Sequence, residues 1–425
     1  MEKKSLPKHW EVNKLKEISE WGSGGTPKST NRDYYEGGDI PWLIIGDLND
    51  NFISSSKTKI TELGLKNSSA KIVPSGNILI ALYGSIGKLG INKIPLATNQ
   101  AIAFTKNLKE FMFNKYLFYF LFYKRAYLNS LGKGATQMNI SQTVLKEVEI
   151  PIPPLPEQQA IVQKIEELFS ELDNSIQNLK TAQKQIKIYR QSVLKSAFEG
   201  KLTQEKLENI QQVAEPKLEY GENRLPEGWK WVKLGDVVKN VEYGSSEKSK
   251  KFGKIPVLRM GNIQNGKFDW EDLVYTDTDS EIEKYLLKKN DVLFNRTNSS
   301  ELVGKTAIYK GERPAIFAGY LIRINYDIQI LNPKYLTFYL NSASAREYGD
   351  SVKTFGVNQS NINGTKLKTY PLPLAPLSVQ EEIVSEIESR FSVADKLEEA
   401  INQSLEQAEV LRQSILKKAF EGKLL

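Results

Sequence analysis

The chain has 425 residues, 40% of them hydrophobic and 26% charged, so it is long enough for several folded domains and has a globular composition. It contains no cysteine and one histidine, His9, which excludes disulfide frameworks, thiolate catalysis and two-histidine metal sites. Basic residues outnumber acidic ones by 58 to 51, and the net charge of +7 permits binding to a polyanion without requiring it.

The first predicted domain covers residues 1–150. No apolar stretch follows its charged N-terminus, so we expect no signal peptide. The most apolar run, 111–123, is too short to cross a bilayer and predicts a core helix. Short β-like runs such as 78–83 alternate with glycine, asparagine and serine turns, which is typical of an α+β globular domain.

A single long helix is predicted in the next region, 151–202. Proline-rich residues 150–154 keep the entering chain extended. Residues 157–198 then contain neither glycine nor proline, and apolar side chains recur at steps of three and four. Gly200 stands where a C-terminal glycine cap belongs. The pattern indicates a helix about 60 Å long with one narrow apolar seam.

The rest of the chain repeats the first part. Residues 203–224 are polar and lack periodicity, which predicts a linker, and a second domain, 225–372, and a second helical region, 373–425, follow it. Trp10 returns as Trp229 within the same Leu-Pro-x-x-Trp start, and both helical regions contain Ala-Phe-Glu-Gly-Lys-Leu. Matches in constant order over the whole length indicate an internal duplication.

The predicted fold class is therefore α+β, with two tandem domains of similar fold that are each followed by a long α-helix. A helix of this length cannot bury its seam against its own domain alone, and the twin helix supplies a matching seam. We expect the two helices to pair as an antiparallel coiled coil with pseudo-two-fold symmetry.

Known catalytic motifs are incomplete. Residues 304–306 resemble the end of a phosphate-binding loop, but the first glycine of that motif falls on Ser299. A Glu-x-Lys sequence at 199–201 lies at the predicted helix cap, and the chain has no Asn- or Asp-Pro-Pro-aromatic motif to hold a flipped base. We therefore predict a non-catalytic chain with no metal site and no cofactor of its own.

Polar loops in the two domains are the candidate binding sites. Their side chains are of the types that contact phosphates and base edges in DNA, although such stretches can also form turns alone. Framework residues match between the copies while these loops differ, so the two domains would bind two different short sequences. The candidate DNA-binding residues are Thr26, Lys28, Ser29, Arg32, Tyr83, Ser85, Lys88, Asn99 and Gln100 in the first domain, and Ser245, Ser246, Lys248, Arg296, Thr297, Asn298 and Lys305 in the second.

Several motifs occur in a fixed order along the chain. They are the two Leu-Pro-x-x-Trp starts, the Gly-Gly-Thr-Pro loop at 24–27, the stretches 83–88, 137–140 and 150–158, and the two Ala-Phe-x-Gly-Lys-Leu sequences. This set resembles the DNA specificity subunit of type I restriction-modification systems over essentially the whole chain, twice. The second copy differs from the first because it lacks the Gly-Gly-Thr-Pro loop and has inserted residues around Ser299 and Ser300.

The resemblance implies two target-recognition domains, each reading one half of a bipartite, asymmetric site in double-stranded DNA. It also implies that the helical regions set the spacer and dock two methyltransferase subunits, and that endonuclease-translocase subunits join. Those partners would bind S-adenosylmethionine, ATP and magnesium, in the cytoplasm and without membrane contact. Two other hypotheses stay open: a coiled-coil scaffold with protein-binding globular ends, and a stand-alone DNA methyltransferase.

Overall fold

The structure is a computed structural model that describes residues 6–134, 138–202, 225–357 and 359–425. The chain divides into two compact units: unit 1 contains Met1–Lys180 and Asn402–Leu425, and unit 2 contains Thr181–Ile401. Each unit therefore takes chain from both copies of the repeat. The predicted linker, 203–224, lies outside the described residues.

Unit 1 mixes short strands with helices, as predicted for the first domain. Its strands are β1 (Glu11–Lys14), β2 (Glu20–Ser23), β3 (Ile40–Leu43), β4 (Asn51–Ile53), β5 (Thr58–Ile60), β6 (Ile78–Ala81), β7 (Leu89–Asn92), β8 (Ala97–Thr98), β9 (Ile102–Lys106) and β10 (Glu149–Ile152). Its helices are α1 (Leu15–Ile18), α2 (Glu62–Lys66), α3 (Asn114–Tyr123), α4 (Arg125–Ser130) and α5 (Gln142–Lys146). Helix α6 (Leu155–Phe198) begins in unit 1 and continues into unit 2.

A five-stranded sheet in the order β2-β9-β6-β7-β4 forms the centre of unit 1, and a three-stranded sheet has the order β5-β3-β8. Strand β6 is buried along its whole length because both of its faces are covered. Ile78 and Ile80 join a cluster with α3, whereas Leu79 and Ala81 join a cluster on the other face. The apolar run 111–123 supplies α3, whose Tyr116 and neighbours are buried in the first of these clusters.

Pairing of β1 with β10 joins the start of the first domain to its end. Glu11 lies opposite Ile152, just before α6 begins. The Trp10 indole N–H donates to Glu157 at 3.0 Å, and Nε2 of the exposed His9 lies 2.9 Å from the same carboxylate. These contacts hold the first turn of α6 against the domain that precedes it.

Unit 2 repeats this plan. Its strands are β11 (Lys230–Lys233), β12 (Val238–Tyr243), β13 (Ile255–Leu258), β14 (Ile263–Gln264), β15 (Lys267–Phe268), β16 (Val274–Thr276), β17 (Val292–Asn295), β18 (Thr297–Asn298), β19 (Thr306–Ile308), β20 (Ile316–Phe317), β21 (Leu321–Tyr326), β22 (Thr354–Phe355), β23 (Ser360–Asn361) and β24 (Pro371–Leu374). Its helices are α7 (Leu234–Val237), α8 (Asp279–Tyr285), α9 (Pro333–Leu340), α10 (Ala343–Val352) and α11 (Gly364–Lys368). Helix α12 (Leu377–Phe420) begins in unit 2 and continues into unit 1.

The central sheets of unit 2 have the same strand order as those of unit 1. The order β12-β21-β17-β19 corresponds to β2-β9-β6-β7, and β16-β13-β20 corresponds to β5-β3-β8. In both three-stranded sheets the last two strands are parallel. Unit 2 also has a three-stranded sheet, β18-β23-β22, beside this shared centre. The two domains therefore have one fold, as the duplication predicts.

In unit 1 the start of α6 packs against the end of α12. Arg412 pairs with Asp173, and its guanidinium lies 4.6 Å from the centre of the Phe169 ring. Further along α12, Phe420 packs edge-on against Tyr116 at 5.2 Å, and Tyr116 in turn donates to the carbonyl of Pro151. From Arg412 to Phe420, α12 thus runs from Asp173 towards the chain at Pro151 that leads into α6, so the two segments run antiparallel.

Unit 2 has the same arrangement with the helices exchanged. Arg190 of α6 lies 5.1 Å from the centre of the Phe391 ring and donates to Asp395 at 2.6 Å. Phe198, at the end of α6, packs edge-on against Tyr335 and Tyr339, both at 5.1 Å. The end of each long helix therefore completes the core of the unit that holds the other copy's globular domain.

The predicted fold class and both helix caps are confirmed. Each long helix has 44 residues. Gly200 and Gly422 follow them with φ of +76° and +70°, a conformation that favours glycine. A Cβ on Gly200 would also lie 2.1 Å from Cγ of Pro226, so glycine is needed there for close approach as well.

Candidate nucleic-acid interface

The polar loops of unit 1 leave the five-stranded sheet at one edge. Antiparallel pairing puts the ends of β2 and β6 beside the start of β9, and the start of β7 beside the end of β6. The segments 24–39, 82–88 and 99–101 therefore meet at this edge, which we call loop edge 1. Strand pairing alone brings together three stretches that are far apart in sequence.

Hydrogen bonds join these segments into one surface. The Thr26 hydroxyl donates to the side-chain oxygen of Gln100, which links the first loop to the last. The backbone N–H of Leu82 donates to the carbonyl of Ala101 at 2.8 Å, which links the middle loop to the same turn. The three loops consequently present their side chains from a common, fixed backbone.

All the candidate residues predicted in the first domain lie on loop edge 1. Lys88 and Asn99 are half-buried, and the Asn99 side chain accepts from the N–H of Ala101 at 3.2 Å. Arg32 lies 3.8 Å from Glu36 in a solvent-exposed pair. The exposed candidates are Thr26, Lys28, Ser29, Arg32, Tyr83, Ser85 and Gln100. The structure thus places hydroxyl, amide and cationic groups together, and their contacts with DNA stay a prediction.

Unit 2 has the corresponding surface, which we call loop edge 2. The ends of β12 and β17 lie beside the start of β21, and β19 begins beside the end of β17. The segments 244–254, 296–305 and 318–320 meet there. The backbone N–H of Arg296 donates to the carbonyl of Tyr320 at 3.0 Å, as Leu82 does to Ala101 in unit 1.

The candidate residues of loop edge 2 differ in how their side chains are used. Ser245 is buried, donates to Glu281 and accepts from the N–H of Glu247 at 3.1 Å, so it holds the turn. Thr297 accepts from the Asn361 side chain at 2.7 Å. Two further candidates, Ser246 and Lys248, are exposed, and Asn298 is half-buried and accepts from the N–H of Ser299.

Arg296 is held more firmly than the other candidate cations. Its guanidinium lies 4.8 Å from the centre of the Tyr243 ring, and Nη1 donates to the carbonyl of Gly319 at 3.2 Å. The Tyr243 hydroxyl accepts from the N–H of Gly364 at 2.7 Å, so the ring itself is fixed. The matching position in unit 1 is the buried Leu82. A stacked and oriented arginine is suited to paired hydrogen bonds with a base or phosphate.

Lys305 lies between Gly304 and the first residue of β19, Thr306. Its ammonium donates to the side-chain oxygen of Gln264 at 3.2 Å. Burial, followed by the nearby charge of Arg346, lowers the pKa of Lys305 below that of a free lysine. A phosphate bound beside Lys305 would pair with its ammonium group and favour the charged form of the lysine.

The inserted residues predicted around Ser299 lie in the loop of 296–305. Gly87 N–H closes the unit 1 loop on Ala81 at 2.9 Å, and Gly304 N–H closes the longer unit 2 loop on Asn295 at 2.8 Å. The two loops thus begin and end alike but differ in length. That difference gives the two edges different shapes as well as different side chains.

Sequence reasoning missed several residues beside the loop edges. Asn139 forms a β-bridge with Tyr83, and Asn361 pairs in the same way with Thr297. The repeated Gln-x-Asn-Ile sequence could have pointed to them, because a polar motif kept in both copies within variable surroundings predicts a shared structural role. Tyr243, whose ring lies under Arg296, was also not among the predicted DNA-binding residues.

Two further features of the described residues bear on function. They contain no group of three or more histidine, aspartate or glutamate side chains placed to hold a metal ion. None of the described helices is both long enough and apolar enough to cross a membrane.

Comparison with known proteins places these two loop-edged domains in a family. The family model described as "Type I restriction modification DNA specificity domain" matches residues 7–187 and 226–407. The chain therefore belongs to the type I restriction-modification DNA specificity family, as the motifs predict. It is a DNA-recognition subunit with two specificity domains, one in each copy of the repeat.

Individual relatives match along most of the chain. The type I restriction enzyme EcoKI specificity subunit of Escherichia coli (strain K12) is 28% identical over 433 residues, covering 99% of this chain and 90% of that protein. The MjaIX specificity subunit of Methanocaldococcus jannaschii is 30% identical over 385 residues, covering 88% of this chain and 85% of that protein. Both relatives are named as specificity subunits.

Solved structures confirm the fold. A chain from a study of complex assembly and conformational transition in a type I R-M system has a TM-score of 0.73 at 20% identity, covering 99% of this chain and 100% of that one. The HsdS subunit from Thermoanaerobacter tengcongensis has a TM-score of 0.57 at 19% identity, covering 100% and 99% respectively.

Proposed function

We propose that the chain is the specificity subunit of a type I restriction-modification complex. Loop edge 1 and loop edge 2 each bind one half of a bipartite, asymmetric site in double-stranded DNA. The observation that carries this proposal is that two edges with one backbone plan hold different side chains, such as Leu82 in one and Arg296 in the other. Edges that differ in this way read different base sequences.

In this proposal α6 and α12 set the spacer between the half-sites and dock two methyltransferase subunits. Large apolar side chains left exposed on the helices support the docking role. Ile188 and Tyr189 on α6 are 66% and 43% exposed, and Val410 and Leu411, at the matching places on α12, are 71% and 50% exposed. A repeated apolar patch is suited to two copies of the same partner.

The chemistry belongs to the partners of this non-catalytic chain. The methyltransferase subunits bind S-adenosylmethionine and methylate adenine, and endonuclease-translocase subunits that bind ATP and magnesium join the complex. The assembly acts in the cytoplasm, where a chain without cysteine suits the reducing conditions.

Genome-wide mapping of methyladenine tests this function. The chain is co-expressed, in a host without adenine methylation, with a methyltransferase encoded beside its gene. We expect one split motif with a fixed spacer, and omitting the chain should abolish methylation. A stable complex that methylates nothing, or that methylates an undivided motif, would contradict the proposal.

A protein-binding scaffold is the alternative function, and salt dependence separates it from DNA recognition. Displacement of condensed counterions makes the logarithm of DNA affinity fall with the logarithm of salt concentration, with a slope of about −0.9 per neutralised phosphate. For the assembled complex on its methylated motif, we expect a slope several times steeper than −0.9, because several phosphates are neutralised. A scaffold would show weak binding without preference for that motif.

A further inference from the structure

A β-hairpin of unit 2 presents exposed apolar side chains beside loop edge 2. The chain leaves β22 at Phe355 and returns as β23 at Ser360. Phe355 and Val357 are 71% and 101% exposed. Two large apolar side chains in water, next to a polar surface proposed to bind DNA, mark a contact site and not part of the core.

Strand register places Phe355 relative to the candidate residues. Asn298 of β18 lies opposite Ser360 of β23, and Ser360 lies opposite Phe355 of β22. Residues directly opposite each other in antiparallel strands share a face, and two strand spacings amount to about 10 Å. Phe355 therefore stands on the same face as Asn298, about 10 Å from it.

The first strand of the hairpin is anchored where it begins, at Lys353 and Thr354. Lys353 is largely buried and donates to the carbonyl of Ser300 at 3.0 Å and to Asp350 at 2.5 Å. Lys366 donates to the Thr354 hydroxyl at 2.6 Å. These bonds tie the hairpin to the inserted loop of loop edge 2 on one side and to α11 on the other. Because the backbone is held in place, an exposed aromatic ring on this hairpin can press against a bound DNA molecule without being displaced itself.

Unit 1 has a glycine at the position that matches Phe355. Lys133 pairs with Asn139 as Thr354 pairs with Asn361, so Gly134 stands where unit 2 has Phe355. Glycine has no side chain to insert. The two loop edges therefore differ in apolar contact as well as in polar groups.

Resting on the proposed function, we infer that Phe355 inserts partway into one base-pair step of the half-site bound by unit 2 and unstacks it. Proteins that bend DNA use phenylalanine and other apolar side chains as wedges of this kind, from the minor groove. Gly134, the matching residue of unit 1, has no side chain for such an insertion. Because pyrimidine–purine steps unstack most easily, the wedge favours such a step without any hydrogen bond to its bases.

Fluorescence of 2-aminopurine tests the insertion. The complex of the chain with its methyltransferase subunits is added to duplexes of the mapped motif that carry 2-aminopurine at successive positions. We expect the fluorescence to rise at one step in or beside one half-site and at no step of the other. Phe355→Ala should abolish this rise on duplexes saturated with the complex, and it should weaken binding to the motif.

Ile328→Ala is the matched control. Ile328 is also an exposed apolar residue, at 57%, but it follows the far end of β21 from loop edge 2. This variant should keep the full fluorescence rise. Circular dichroism melting should give the same Tm for both variants and the unaltered chain, because neither side chain is part of the core.

The outcomes separate the wedge from the proposed function. Specific binding with no rise at any step would overturn the wedge and leave the proposed function intact. Absence of any sequence-specific binding would overturn both. If Phe355→Ala loses affinity as much as replacing thymine by uracil does, with no rise in the unaltered complex, the ring contacts a thymine methyl group and insertion is wrong.

Discussion

At the scale of single residues, Arg296 makes the sharpest difference between the two loop edges. Its backbone is held by the same bonds as that of Leu82, but its guanidinium is stacked on Tyr243 and bound to a carbonyl. Fixing the guanidinium in advance reduces the side-chain entropy lost when it binds a base. The position therefore combines a shared framework with a side chain specific to one domain.

We predict that Arg296→Leu relaxes specificity at one base pair of one half-site. Loss of a paired arginine–guanine contact amounts to about 1–3 kcal/mol, or roughly 5- to 160-fold in discrimination. Methylation rates on duplexes with each base pair substituted in turn would measure it. Arg313→Leu is the matched control, because Arg313 is also stacked on an aromatic ring, Trp270, but precedes β20 and lies outside loop edge 2. Equal weakening on all duplexes would argue against base reading by Arg296.

Lys88 on loop edge 1 is predicted to bind phosphate. Lys88→Ala should weaken binding to all sequences by a similar factor and make the salt slope less steep by about 0.9, because one fewer phosphate is neutralised. Fluorescence anisotropy at several salt concentrations measures both effects. A changed base preference with an unchanged slope would show instead that Lys88 contacts a base.

The residue scale also marks the limit of sequence reasoning about the site. Composition and repeat comparison selected candidate loops but did not predict that these loops meet at one edge of each sheet. They could not predict that the Ser245 hydroxyl is used inside its own domain, because its partner Glu281, on α8, is 36 residues away and reaches it only in the folded domain. Phe355 gave no signal either, since a single phenylalanine in a sequence is more often buried.

At the scale of elements, the loops of one edge form a unit of function. Exchange of residues 22–38 for another polar loop of the same length should change one half-site of the methylated motif and leave the other intact. The reason is that these residues, the end of β2 and most of the first loop of loop edge 1, lie in unit 1 alone. Methyladenine mapping of the exchanged chain provides the readout, with the unaltered chain as control. A change in both half-sites would contradict independent reading by the two domains.

The long helices were predictable because 42 consecutive residues, 157–198, lack glycine and proline and keep one apolar period. Strands of two residues, such as β18 and β23, were not, because they are too short for any periodic signal. Nor could the sequence assign the helix ends to a domain. An apolar seam specifies that a partner is needed but does not identify it.

The helix ends give a prediction about stability. Phe198→Ala should destabilise unit 2 by about 3–5 kcal/mol, because the buried ring packs against Tyr335 and Tyr339. Hydrogen exchange should quicken in α9 (Pro333–Leu340) and stay unchanged in α3 (Asn114–Tyr123). Val410→Ala, at a 71% exposed position on the other long helix, should change neither. Faster exchange in α3 alone would mean that the end of α6 packs on the first domain.

At the scale of the whole molecule, helix length is predicted to determine the spacer. Removing one heptad, 178–184, together with its equivalent, 400–406, shortens each helix by roughly 10 Å, about three base-pair rises. These segments lie between the arginine pairs of the two units, so Arg190–Asp395 and Arg412–Asp173 are both retained. We expect the methylated motif to keep its two half-sites and change its spacer. Replacing the same heptads without changing their length is the control. An unchanged spacer after the deletion would show that helix length does not set the spacer.

The exchange of helix ends also constrains how the chain is built in time. Ile415, Leu416, Ala419 and Phe420 belong to the core of unit 1, yet they are synthesised after all of unit 2. Until they emerge from the ribosome, the first domain carries an uncovered apolar surface around Tyr116 and Phe120. The domain translated first is thus among the last to be completed. A chain released after Ile401 would hold one complete recognition unit, and it would be the second.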